Sequence, residues 1–315
     1  MKRKGSGMMK RAIVLGLVVG VMLILGACTD SKTTETTASP DGGSVAVGDP
    51  EKKVILVVSF GTSYNDTRAL TIDATEAAIA AAYPDYEVRR AFTSQIIIDK
   101  LKDRDGLDIK NVDQAMQQLV ADGVGTLVVQ PTHVMSGFEY DEMKASIEPY
   151  AANFASLVYG APLLSSVDDY LALVEAFKTE IAPGVAADTA LVLMGHGTHH
   201  FANATYAALD YVFKDQGMAN VFVGTVESYP DLDTVMAHVQ AGGYSKVILQ
   251  PLMVVAGDHA NNDMAGDEED SWKTVFKSEG FEVETVLRGL GEYEAIQAMY
   301  VTHVGDAINL PAEEE

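Results

Sequence analysis

Cysteine is nearly absent from this chain: Cys28 is the only one among 315 residues. An intrachain disulfide is therefore excluded, and so is a closed structural zinc site built from thiolates. Basic residues are also scarce. Twenty-two lysines and arginines stand against 45 aspartates and glutamates, a formal net charge of −23, which argues against a nucleic-acid partner. Two catalytic signatures are missing as well. No G-x-x-x-x-G-K-[ST] phosphate loop points to a bound nucleotide, and no H-E-x-x-H helix points to a zinc hydrolase.

The one cysteine stands in an informative place. The chain opens with "MKRKGSGMMKR", which carries Lys2, Arg3, Lys4, Lys10 and Arg11 and no acid, and continues with the uncharged run "AIVLGLVVGVMLILGA". That run is marginal for a spanning helix, at about 16 residues against the usual ~20. A basic start followed by an apolar run ending in small residues is the pattern of an export signal, here residues 1–27. "LGAC", Leu25 to Cys28, resembles the lipobox of bacterial lipoproteins, so Cys28 is the expected lipid acceptor and membrane attachment point. The chain is accordingly expected to be exported and anchored, facing the periplasm or cell envelope. Residues 28–51, rich in Thr, Ser, Gly, Asp and Pro, read as a flexible tether with an end-to-end distance of roughly 25 Å.

From residue 52 onward, short β-branched runs alternate with longer amphipathic stretches, the pattern of parallel strands joined by helices. The strand candidates are "VILVVSF" (54–60), "YEVRRAF" (86–92), "GTLVVQP" (125–131), "ALVLMG" (190–195), "NVFVGTV" (220–226), "KVILQP" (246–251) and "FEVETVL" (281–287). Helical patterns lie between them, at 66–83, 111–123, 166–181 and 203–217, the last with Asn203 as its expected N-cap. The expected fold class is α/β, with two similar halves of flavodoxin-like parallel sheets and flanking helices around a central cleft, over 52–182 and 183–315.

Self-similarity is what divides the chain in this way. "VVSFGTSYNDT" (57–67) matches "LMGHGTHHFANAT" (193–205), and "LVVQPTHVMSGFEYDEM" (127–143) matches "VILQPLMVVAGDHANNDM" (247–264). Each half thus has a strand ending in an X-Gly-Thr turn and a strand ending in Gln-Pro. Ligands of parallel α/β sheets bind at the carboxyl ends of strands, so these four turns are expected to line one cleft. The alignment sets Phe60 opposite His196, Gly137 opposite Gly257, Phe138 opposite Asp258, and Glu139 opposite His259. His196, His259 and Glu139 are therefore the candidate metal or proton ligands, with Phe60 and Gly61 lining the site. Two imidazoles and a carboxylate suit Co²⁺, Fe²⁺, Ni²⁺ or Zn²⁺ and leave coordination positions open for a substrate.

The remaining polar residues divide between site and background. His133, in the first Gln-Pro loop opposite Met253, is a candidate for lining the pocket; packing is the alternative. His199 and His200 are second-tier ligand candidates, while His238 and His303 lie in helical patterns and read as solvated or core residues. Arg89 and Arg90 stand near the end of the second strand, where one of them, assigned as Arg89, could face a polycarboxylate; neighbours on a strand point to opposite sides. The acidic stretch "GDHANNDMAGDEEDSW" (257–272) reads as a solvated face, or as a lip that draws cations toward the cleft.

"VSFGTSYNDTR", "RRAFTSQIII", "VQPTHVMSGFEYDEM", "LMGHGTHH" and "LMVVAGDHANNDMAGDEEDSW" together resemble the anaerobic sirohydrochlorin cobaltochelatases of the CbiK family, class II chelatases related in fold to ferrochelatase. The resemblance runs over about residues 52–310. It implies a site of two histidines and a glutamate, carried by motif onto His196, His259 and Glu139. It further implies a tetrapyrrole substrate, a divalent metal substrate and ATP-independent insertion of Co²⁺ into sirohydrochlorin with release of two protons. His196 is the first candidate for the base and His259 the second. Fe²⁺ would use the same ligands. An exported haem or metal carrier of the same fold is the alternative, although nothing in the sequence calls for haem. No heptad or repeat specifies an oligomer interface.

Overall fold

The computed structural model describes residues 46–309. The expected signal peptide, Cys28 and most of the expected tether lie outside the described residues. The tether as read from composition runs slightly too far, because strand β1 (Asp49–Ser59) already includes residues 49–51. Composition does not reveal this: the strand's polar start is held by pairing, with the Asp49 N–H donating to the Gly123 carbonyl at 2.9 Å.

The first half continues through α1 (Asn65–Arg68), α2 (Ala74–Ala82), β2 (Glu87–Phe92), α3 (Gln95–Asp105), α4 (Val112–Ala121), β3 (Val124–Pro131), α5 (Phe138–Ile147), β4 (Ser156–Tyr159) and α6 (Val167–Ala176). The second half has β5 (Thr189–Gly195), α7 (Ala204–Asp215), β6 (Val221–Thr225), α8 (Leu232–Gly242), β7 (Lys246–Pro251), α9 (Trp272–Ser278), β8 (Glu282–Thr285) and α10 (Glu294–Asn309). β4 is the strand that the apolar pattern misses: its sequence, "SLVY", is four residues long and nowhere fully buried.

Two four-stranded parallel sheets result, ordered β2-β1-β3-β4 and β6-β5-β7-β8. The same plan is written twice, and its register repeats too. Val58 pairs with Pro131 as Met194 pairs with Pro251, and Ser59 pairs with Phe92 as Gly195 pairs with Thr225. The central strands are apolar on both faces, as a parallel sheet covered on both sides requires. Alternate residues of β1 reach different cores, with Leu56 and Val58 facing Met116 and Leu119 while Ile55 and Val57 face inward. The inward core also takes Leu191 and Leu193 from β5, and between the sheets it holds Phe177, Phe213 and Tyr300.

The halves are duplicated in sequence without being separate in packing. Helix α10 follows the second sheet in the chain but packs against α2, α6 and the first sheet. Three polar contacts fix it there: the Tyr300 hydroxyl donates to the Thr132 carbonyl at 2.8 Å, the Tyr83 hydroxyl donates to the Val301 carbonyl at 2.7 Å, and His303 Nε2 lies 2.8 Å from Asp169 Oδ1. The boundary at 182/183 therefore marks the repeat and not two independent cores. His303 is a buried core residue, and His238 is exposed on α8.

Candidate active site

The turns after β1, β3, β5 and β7 line one cleft of about 500 Å³, within the range of roughly 300–1,000 Å³ usual for ligand pockets. The Gly-Thr turns are built to be sharp. Gly61 and Gly197 have φ of +99° and +89°, and a Cβ would stand 2.6 Å from the Phe92 ring at the first and 2.9 Å from the Ser228 nitrogen at the second. No other residue type fits either corner without displacement.

His196 leaves the end of β5 and His259 enters the turn after β7, and their ring centroids are 4.7 Å apart at an interplanar angle of 79°. Each ring is oriented by its Nδ1. In His196 that atom lies 2.8 Å from the Gly197 carbonyl oxygen, and in His259 it lies 2.8 Å from Asp263 Oδ2. Both partners only accept when the carboxylate is ionised, so in the neutral rings Nδ1–H donates and the Nε2 lone pairs are left for a metal. The third corner is Glu227. Its Oε1 is 3.9 Å from His196 Nε2, and ligand atoms of His196, Glu227 and His259 all lie within 4.8 Å of one another.

Glu139 also lines the cleft, from the first turn of α5. Among the described residues, however, the carboxylate that groups with the two histidines closely enough to share a metal ion is Glu227. The duplication explains the arrangement. Beyond the strands, the Ser94 N–H donates to the Phe60 carbonyl as the Glu227 N–H donates to the His196 carbonyl, at 3.2 and 2.9 Å. Ser94 is thus the counterpart of Glu227. The second half carries His196, Glu227 and His259 where the first carries Phe60, Ser94 and Glu139. One half offers candidate metal ligands, and the other offers an aromatic side chain, a hydroxyl and one carboxylate.

Other expected site residues fall in different places. His133 lines the cleft, but both of its ring nitrogens are sealed from solvent and lack a partner among the described residues. Burial, opposed only by the charge of Glu139, pushes its pKa down to about 4. Phe60 and Gly61 line the cleft as expected, with Phe60 50% exposed. Arg89 does not. It pairs with Leu56 in the middle of β2, short of the strand end, and its guanidinium is held by Glu87 at 2.8 Å and Asp122 at 2.6 Å, so it faces a separate hollow. Arg90 is likewise occupied, by Glu76 and Asp73. Lys100 on α3 is the cation that lines the cleft, and it makes no ion pair among the described residues.

His199 is exposed, and His200 bridges the halves with its Nε2 3.4 Å from Asp141 Oδ2. Asn203 precedes α7 as expected but makes no side-chain cap bond to it; the short turn ahead of it, Phe201–Asn203, is capped by His200, whose Nδ1 accepts from the Ala202 N–H at 3.1 Å. Asn203 instead braces the turn, accepting from the Thr198 N–H at 3.0 Å and donating to the Tyr229 carbonyl at 2.6 Å. Across the mouth of the cleft, the Tyr64 hydroxyl of the first half donates to Asp258 Oδ1 of the second at 3.4 Å. No described helix is long and apolar enough to cross a membrane.

Residues 53–309 match the family model described as cobalt chelatase (CbiK). The sirohydrochlorin cobaltochelatase of Salmonella typhimurium is 44% identical over 263 residues, covering 84% of this chain and 99% of that protein. The sirohydrochlorin cobaltochelatase CbiKC of Nitratidesulfovibrio vulgaris is 33% identical over 261 residues, covering 82% and 91%. Among solved structures, SirB from Bacillus subtilis with Fe³⁺ superposes with a TM-score of 0.57 at 14% identity, covering 82% of this chain and 96% of that one. At that identity the likeness speaks for the fold alone, and it agrees with two similar α/β halves.

Proposed function

The chain belongs to the CbiK family of cobalt chelatases, and on that footing we propose that its cleft inserts Co²⁺ into sirohydrochlorin, releasing two protons without a nucleotide. The observation that carries this reading is the open three-ligand set of His196, Glu227 and His259, of which the two histidines line the largely apolar cleft. Two imidazole nitrogens and a carboxylate suit a divalent ion of the cobalt series and leave coordination sites for incoming ring nitrogens. Fe²⁺ can use the same donors, so it competes for the site.

The macrocycle lies between the ligand half and the aromatic half. Phe60 meets the ring face, and Lys100 meets one of the peripheral carboxylates. Insertion exchanges protein ligands for pyrrole nitrogens while two N–H protons leave. As the ion passes into the ring, His196 Nε2 is freed and takes one proton; Glu139, on the opposite wall, takes the other. His259 stays oriented by Asp263 and is the second choice as base.

The sequence of residues 1–28 supports a further part of the proposal: export and attachment to a membrane through lipid on Cys28. Anaerobic mixing of catalytic amounts of protein with Co²⁺ and sirohydrochlorin tests the reaction. Many turnovers per protein, followed by absorbance, are expected; stoichiometric binding without turnover would make the protein a carrier instead.

A further inference from the structure

His133 presents a problem that the fold alone does not explain. Its backbone is held like its counterpart's: the Leu163 N–H donates to the His133 carbonyl, and the Leu290 N–H donates to the Met253 carbonyl, both at 2.9 Å. In the second half the position is thus served by a thioether side chain with no polar hydrogen to satisfy. In the first half it holds an imidazole whose two nitrogens are buried and unpartnered among the described residues. An orphaned buried polar group lowers stability, so Met253 shows that a cheaper residue was available to the same turn.

Buried side-chain atoms of Thr75, Thr93 and Gln130 also lack partners, but of these four residues only His133 lines the cleft. It is also the one that feels a neighbouring charge there, that of Glu139, which stands on the first turn of α5 in the same wall. A neutral imidazole always keeps one N–H donor. Glu139 lines the same cleft and is the carboxylate whose charge acts on the ring.

We propose that His133 is a positioning residue for Glu139, its N–H engaging the carboxylate when a macrocycle fills the cleft and holding it toward a pyrrole N–H. Water that solvates Glu139 in the open cleft is displaced by the flat substrate, and His133 supplies the donor from behind. The proposal rests on the chelatase reading, in which Glu139 takes a proton.

The test compares the full-length protein with His133→Met, His133→Gln and His133→Asn, alone and combined with Glu139→Gln. His133→Met should fold and melt at or above the wild-type temperature, since it copies the residue at position 253. Its kcat should fall about tenfold or more, while KM for Co²⁺ stays at the wild-type value. Gln or Asn, which keep an N–H donor, should recover most of the rate. In the Glu139→Gln background His133→Met should cost nothing further, because both act through one carboxylate. Wild-type kcat in His133→Met, a fully additive loss, or failure of His133→Met to fold would each overturn the proposal. Absence of turnover in the wild type would instead overturn the chelatase reading beneath it.

Discussion

His259 and Asp263 stand one helical turn apart with His259 Nδ1 2.8 Å from the Asp263 carboxylate, so the turn that delivers the imidazole to the cleft also orients it. The contact fixes which nitrogen faces the cleft. A carboxylate behind a metal-binding histidine raises its basicity as well as holding its ring. Asp263→Ala is therefore expected to lower Co²⁺ affinity or insertion rate by roughly 10–100-fold. Titration calorimetry with Co²⁺ on the purified variant, beside its circular dichroism spectrum, measures this.

Removing a ligand itself should cost more. His196→Ala is expected to abolish insertion and leave the fold intact, because the ring lies at the cleft and not in the core. Full activity in a folded variant would take His196 out of the mechanism.

The two glutamates should separate. Glu227→Gln is expected to weaken Co²⁺ binding directly, since Glu227 is the carboxylate grouped with His196 and His259. Glu139→Gln should keep Co²⁺ affinity close to wild type and slow insertion. Equal losses of affinity in both variants would place Glu139 among the metal ligands after all.

Lys100 offers a charge test of the substrate. In a chain of net charge −23, a polycarboxylate needs at least one favourable contact at the cleft, and Lys100 provides it. Removing an exposed pair is worth at most about fivefold, and reversal adds repulsion. Lys100→Glu should raise KM for sirohydrochlorin several-fold, by an amount that shrinks as salt is added.

Acid stability should depend on His133. Its pKa falls from the ordinary 6.5 to about 4 in the folded protein, because burial disfavours the charged ring. The unfolded chain therefore binds this proton more readily. The contribution to stability is fully present above pH 6.5 and is lost as pH falls toward about 4. Thermal melts of wild type and His133→Met between those pH values should show a shallower decline for the variant.

Much of the fold is legible because parallel strands buried on both faces must be apolar runs, and because the plan is repeated. The same repeat locates His196 and His259. Glu227 is hidden because the turn after β6, "TVESYP", carries neither the Gly-Thr nor the Gln-Pro signature; only the register of Ser59 with Phe92 and of Gly195 with Thr225 makes it the counterpart of Ser94. Arg89 misleads for a different reason: the strand ends at Phe92 as its pattern indicates, but the sequence does not show that Glu87 and Asp122 occupy the guanidinium in mid-strand, away from the cleft. The return of α10 onto the first sheet is a tertiary choice that a local pattern does not encode.

The most direct test is a pulse–chase. Protein loaded with labelled Co²⁺ at the His196–Glu227–His259 site is mixed anaerobically with sirohydrochlorin and excess unlabelled Co²⁺, and the first turnover is analysed. The first product should carry the label, in an amount equal to the loaded sites. A first product made from unlabelled cobalt, with the label still on the protein, would contradict that expectation.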